Sequence, residues 1–157
     1  MADPLLKKAL DAAYRHLARS PRSRYEVEQR LREKNHSETI IPQVIQKLES
    51  YGYLDDQAFA RQWTRDRVTR RYWGPSRLRA ELQRKGVAKE WIETAIRELF
   101  DEKDESALAM ELVVQRLKGR GLRDPREYRR TFAYLLRRGY SPEVIQPVLR
   151  RMKEDEE

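Results

Sequence analysis

Leu82-Gln83-Arg84-Lys85-Gly86 is the middle one of three like stretches, the others being Leu31-Arg32-Glu33-Lys34-Asn35 and Leu135-Leu136-Arg137-Arg138-Gly139. When Asn35, Gly86 and Gly139, which stand 51 and then 53 residues apart, are laid over one another, the flanking sequence falls into register. Leucine stands four positions earlier in all three copies. Ile40-Ile41, Trp91-Ile92 and Val144-Ile145 follow, then Ile45, Ile96 and Leu149, then Leu48, Leu99 and Met152. Every column is apolar. A helix that ends at Gly or Asn can close on left-handed backbone angles and reverse into a second helix, whose inner face then repeats at helical spacing. The spacing therefore predicts a helix-turn-helix pair in each of three units.

Pro21, Pro75 and Pro125 lie shortly before the first helix of each pair. Proline is tolerated there because the first helical N–H groups have no partner within the helix. A further helix precedes each proline. Leu6, Leu10, Ala13 and Leu17 carry the first, Phe59 to about Tyr72 the second, and Leu108 to Leu117, with Ala109, Leu112 and Val113 on its face, the third. No segment alternates apolar and polar residues long enough to predict a strand. The expected fold is all-α, three tandem three-helix repeats at 1–56, 57–103 and 104–152, followed by a charged tail at 153–157. Helices this short must pack on their neighbours to bury enough apolar area. Pro147, and to a lesser degree Pro42, fall inside predicted third helices, where a kink or a late start is expected. The Asp101–Glu105 stretch and the tail have no apolar anchors and are expected to be solvated.

Composition narrows the function classes. Hydrophobic residues make up 39% and charged residues 38% of the 157, so the core is thin. A net charge of +8 favours encounter with DNA, RNA or an acidic protein face. The chain has no cysteine, which excludes disulfides and fits a reducing compartment, with cytoplasm as the expected location. The amino-terminal stretch Met1-Ala2-Asp3-Pro4 opens no signal peptide, and no run approaches the ~18 apolar residues a membrane span requires.

Catalytic and metal constellations are not expected. His16 and His36 have no metal-ligand spacing, and the six glycines are scattered rather than gathered in a phosphate loop. No serine sits in a nucleophile elbow. Carboxylates occur at the spacing of surface ion pairs, such as Glu26 with Arg30. The expectation is a protein that is not an enzyme and needs no cofactor.

Arginine is where the chain departs from an ordinary solvated surface. Arg61, Arg65, Arg67, Arg70, Arg71, Arg77, Arg79, Arg84, Lys85 and Lys89 face only Asp66 and Glu81 across the stretch they define. A second excess runs from Arg116 through Lys118, Arg120, Arg123, Arg126, Arg129 and Arg130 to Arg137 and Arg138, opposed by Asp124 and Glu127. The planar guanidinium forks onto phosphate or carboxylate better than an ammonium does. The candidate basic face is taken as the first set without Lys89, plus Arg137 and Arg138. Of the tryptophans, Trp91 and Trp63 are expected in the core, and Trp73 in Tyr72-Trp73-Gly74-Pro75 is undecided between core and stacking surface.

The stretch Gly52-Tyr53-Leu54-Asp55-Asp56-Gln57-Ala58-Phe59-Ala60, followed by Arg67, Gly74-Pro75, Leu78, Glu81-Leu82 and Lys85-Gly86-Val87, resembles the signature of the RecX family of recombinase regulators. Tyr25-Glu26-Val27-Glu28-Gln29-Arg30-Leu31 and Tyr134-Leu135-Leu136-Arg137-Arg138-Gly139-Tyr140 resemble its weaker outer repeats. The resemblance covers about residues 9 to 152. It implies an elongated, curved array of three three-helix repeats that binds along the groove of the RecA filament on DNA. It also implies inhibition of strand exchange, ATP hydrolysis and coprotease action, hence roles in recombination, DNA repair and the SOS response. Weak, salt-dependent binding to single- and double-stranded DNA is implied as well, for a protein expected to be a monomer. On the same basis Asp55 and Asp56 serve the turn and the amino end of the helix starting near Gln57, while Phe59, Leu78, Leu82 and Gly86 serve packing and the turn. Two other readings stay open: a stand-alone helix-turn-helix DNA-binding protein, and a scaffold for an acidic protein.

Overall fold

The computed structural model describes residues 3–156, and among these it contains nine α-helices and no strand. In chain order they are α1 (Pro4–Arg19), α2 (Arg24–Glu33), α3 (Ile41–Ser50), α4 (Asp56–Arg71), α5 (Pro75–Arg84), α6 (Lys89–Glu102), α7 (Glu105–Leu117), α8 (Pro125–Arg137) and α9 (Pro142–Glu154).

The three turns that aligned the sequence are one device. Asn35, Gly86 and Gly139 take φ of 64°, 71° and 103°. In each turn the next residue donates its N–H back to the aligned leucine: His36 to Leu31 O, Val87 to Leu82 O and Tyr140 to Leu135 O. Asn35, Gly86 and Gly139 donate theirs to Arg32, Gln83 and Leu136. This paired bonding satisfies the last carbonyls of α2, α5 and α8. Leu31, Leu82 and Leu135 are wholly buried, and Ile45, Leu48, Ile92, Ile96, Leu99, Ile145 and Leu149 in the later columns are buried too.

Side chains also set the helix starts. Ser23 and Glu26 form a reciprocal capping box at α2. Asp3, Asp104 and Asp124 accept first-turn N–H groups of α1, α7 and α8. Pro75 and Pro125 open α5 and α8, as expected. Pro42 lies in the first turn of α3, the late start anticipated there. The late start does not apply to α9, which begins at Pro142 and is a single helix through Pro147.

The chain divides into two compact units, residues 1–62 with 82–92 and residues 63–81 with 93–157, so the middle repeat contributes to both. In the first unit Ala9, Ala13, Val27, Leu31, Ile41 and Leu48 belong to a core on which Leu6, Leu10 and Leu17 pack. In the second, Ala109, Val113, Leu117, Leu122, Leu135 and Ile145 belong to another, joined by Tyr72 and Phe132.

Three expectations need adjustment. Asp56 opens α4 as its first-turn acidic residue, as expected, but it serves α2 as well. Its carboxylate lies 2.8 Å from the Arg24 N–H at the start of α2, and burial pushes its pKa up, while Asp55 caps α4 through the Ala58 N–H. Glu26 pairs with Arg22 and Lys85 rather than with Arg30. In the charged tail Lys153, Glu154 and Asp155 are exposed, as expected, but Glu156 is anchored, because its carboxylate accepts the Leu122 N–H and pairs with Arg123; Glu157 lies outside the described residues. In the Asp101–Glu105 stretch, Asp101 to Asp104 are exposed, but Glu105 is half-buried, which pushes its pKa up.

Candidate functional site

Within the second unit the two arginine excesses meet. The carboxyl end of α4 turns through Tyr72, whose φ of 55° is left-handed, into Trp73-Gly74 and the start of α5. Gly74 donates its N–H to Arg138 O at 2.7 Å, and Ser76 donates its own to Gly139 O at 3.0 Å. The unpaired amide hydrogens opening α5 are thereby matched to carbonyls just past the end of α8. The backbones approach so closely that a Cβ on Gly74 would lie 2.6 Å from the carbonyl of Gly139. Gly74 is therefore fixed by contact rather than by its backbone angles.

Arginines finish this joint. Arg77 lies over the Trp73 ring, 4.0 Å from its centroid, and donates to Arg137 O at 3.4 Å. Arg67 reaches the rings of both Trp63 and Trp73, which contact each other in a tilted arrangement at 5.8 Å. Arg138 crosses the Tyr134 ring and donates to Arg71 O at the carboxyl end of α4. A cation beside that helix end is favoured by the helix dipole. Tyr140 OH donates to Tyr72 O, and burial raises the pKa of its hydroxyl.

Arg67, Arg70, Arg71, Arg77, Arg137 and Arg138 are brought together in this way. A groove of about 460 Å³ runs beside them, lined by Arg70, Arg71 and Arg138 with Tyr72 and Tyr134, and Leu112 at its base. Arg67 and Arg70 share the carboxylate of Asp66. Arg71, Arg77, Arg137 and Arg138 have no carboxylate partner within ion-pair distance among the described residues; their contacts are carbonyls, rings or solvent. Guanidinium groups so disposed can fork onto phosphate or carboxylate oxygens of a bound polyanion.

The other expected members of the basic face do not line this groove. Arg79 forms a forked pair with Glu93 at 2.6 and 3.2 Å, which raises its pKa further, and Arg65 pairs with Glu102. Arg61, Arg84 and Lys85 belong to the first unit, where Lys85 pairs with Glu26 at 3.1 Å.

Three family models, described as the first, second and third three-helix domains of RecX, match residues 9–48, 55–96 and 103–149. The chain belongs to the RecX family. Proteins called regulatory protein RecX match nearly all of it. Identity is 32% over 152 residues with that of Chlorobium phaeobacteroides, covering 95% of this chain and 96% of the relative. It is 32% over 155 residues with that of Streptomyces coelicolor, covering 98% and 81%. With that of Geobacillus kaustophilus it is 35% over 145 residues, covering 92% of this chain but 54% of the relative. The chain spans about half the length of the Geobacillus relatives it matches. The crystal structure of RecX from Lactobacillus salivarius shares the fold, with a TM-score of 0.82 at 24% identity over 96% of this chain and 97% of that one.

Within the RecX fold the tryptophans reverse two expectations. Trp63 and Trp91 are half-buried, whereas the undecided Trp73 is buried, so Trp73 is not a stacking platform for a base. Tyr134, which lines the groove, was overlooked as a site residue because it reads as one more helix-face aromatic. No helix among the described residues is long and apolar enough to cross a membrane, and no group of three or more His, Asp or Glu there is arranged to hold a metal.

Proposed function

We propose that the chain binds the RecA–DNA filament and modulates, mainly by inhibition, the recombinase, ATPase and coprotease activities of RecA. It acts in the cytoplasm as a monomeric regulator, without catalysis or cofactor, in recombination, DNA repair and the SOS response. Its working parts are the three repeats at 1–56, 57–103 and 104–152. Family membership supports the choice of partner.

The observation that carries the choice of surface is the groove of the second unit. There two repeats contribute Arg71 and Arg138, which no carboxylate among the described residues neutralises, beside Arg70, which shares Asp66 with Arg67. In this reading Arg70, Arg71, Arg137 and Arg138 face phosphate or filament carboxylates. Arg67 and Arg77 support them through Trp73, and Arg61, Arg65, Arg79, Arg84 and Lys85 add only to the long-range field, reduced at Arg65, Arg79 and Lys85 by their carboxylate partners. Single- and double-stranded DNA bind weakly, with affinity falling as salt rises through loss of counterion release.

The test is DNA-dependent ATP hydrolysis by RecA, titrated with this protein at fixed DNA and two salt concentrations, with binding to DNA alone followed in parallel. The triple variant Arg70→Gln/Arg71→Gln/Arg137→Gln should need roughly tenfold more protein for half-inhibition, the scale of one lost charged contact of about 1.4 kcal/mol. Inhibition only once DNA is saturated would favour the stand-alone DNA-binding reading.

A further inference from the structure

The first unit holds a cavity of about 220 Å³ between α1, α2 and the turn after α2. Lys8, Arg15 and Arg19 line it along one stripe of α1, and Arg30 and Lys34 line it from α2. Both histidines of the chain, His16 and His36, lie in its wall, and no carboxylate does. Like charges at adjacent turns of a helix repel. Here Lys8, Arg15, Arg19 and Lys34 have no ion-pair partner among the described residues, and only Arg30 has one, Glu33 at 3.6 Å. The opposite side of α2 shows how the chain treats arginines with no ligand to meet: Arg24 pairs with Glu28, and Arg32 with Glu28 and Glu38.

We propose that this cavity is a second phosphate-binding site, which takes the phosphodiester backbone of single-stranded nucleic acid along the first repeat. The inference rests on the nucleic-acid part of the function proposed above. The narrow space between two helices suits a single strand rather than a duplex, and a chain of phosphates matches cations spread along a helix stripe.

His16 makes the site sensitive to pH. In the free protein His16 is held below its ordinary pKa, first by burial and then by Arg22, Arg30 and Arg19, with Glu26 acting the other way. A phosphate in the cavity offsets the neighbouring positive charge and raises that pKa. Binding then takes up protons, and affinity rises as pH falls from about 7.5 to about 5.5, the window in which only histidines ordinarily titrate.

Fluorescence anisotropy with a labelled oligothymidylate of roughly 16 nucleotides tests the site in the full chain. Arg15→Gln/Lys34→Gln should bind about tenfold more weakly and lower the salt slope by about 1.4, the loss of two phosphate contacts. Arg24→Gln/Arg32→Gln removes the same charge from paired positions and should change affinity less than about twofold. His16→Gln should flatten the pH dependence. Equal weakening by both charge-removing variants overturns the proposal. So does tight saturation by inorganic tripolyphosphate that Arg15→Gln/Lys34→Gln abolishes while oligonucleotide binding stays intact. Absence of RecA inhibition by the unsubstituted protein counts against the filament reading alone, because the oligonucleotide assay contains no RecA.

Discussion

Two joints built on one plan differ in what holds them. In the first unit the Gly86 turn sits on the start of α2, where a Cβ on Gly86 would collide with the Cβ of Tyr25 and lie 2.6 Å from its Cγ. Ser23 Oγ donates to Lys85 O at 2.6 Å, and Lys85 pairs with Glu26. In the second unit the Gly139 turn sits on the start of α5, but there backbone bonds to backbone, and Arg77 closes over Trp73. Lys85 and Arg138 are aligned by the repeat, yet one ends on a carboxylate and the other on a carbonyl and a ring. A joint that uses Glu26 to neutralise its cation is structural. One that satisfies its cations with carbonyls and π faces keeps their charge for a polyanion.

The largest expected effect breaks the second joint from within. Trp73→Ala should cost about 3–5 kcal/mol in urea unfolding followed by circular dichroism, since a buried indole flanked by two guanidinium groups leaves a cavity that cannot collapse onto charge. A loss near that of an exposed residue would show that Arg67 and Arg77 hold their places without the ring. Gly139→Ala comes next, at about 3 kcal/mol, combining a φ of 103° with a Cβ 2.6 Å from the Arg77 backbone nitrogen.

Gly86→Ala should cost less, about 2 kcal/mol, because its φ of 71° lies nearer the left-handed well and its main obstacle is a side chain. Removing that obstacle in Gly86→Ala/Tyr25→Gly, which takes away the Tyr25 Cβ as well as the ring, should return part of the loss relative to Tyr25→Gly alone, a recovery unavailable at Gly139, where the backbone itself is in the way. If the double variant recovers nothing, the two joints are equally rigid and the distinction between them fails.

The repeat, the turns and the buried columns were legible in the sequence because each reports a local rule. A left-handed turn requires Gly or Asn, and a helix face requires apolar residues at fixed spacing. The arginine excess was legible as charge, but not as a site. Arg79 and Arg65 look identical to Arg71 along the chain, and their difference lies in Glu93 and Glu102, which are supplied from α6. The second role of Asp56 was not legible for the same reason, since its partner Arg24 is distant in sequence. Trp73, beside Arg70 and Arg71, stays undecided in the sequence because only the packing of α5 against the Gly139 turn encloses it.

The smallest effect separates charge from packing in the first joint. Lys85→Met keeps the aliphatic stem but leaves Glu26 with Arg22 at 3.8 Å and its capping bond to the Ser23 N–H. For a half-buried pair whose carboxylate retains both partners, the expected cost is about 0.5–1 kcal/mol. In the RecA assay the same substitution should leave half-inhibition within about twofold, because a cation already neutralised by Glu26 adds little to the field a polyanion meets. The aligned Arg138→Met should instead weaken inhibition more than it weakens the fold, since its guanidinium lines the groove. Equal functional losses at Lys85 and Arg138 would mean that the whole basic face acts as one diffuse field, and that the carboxylate at the first joint does not distinguish the two units.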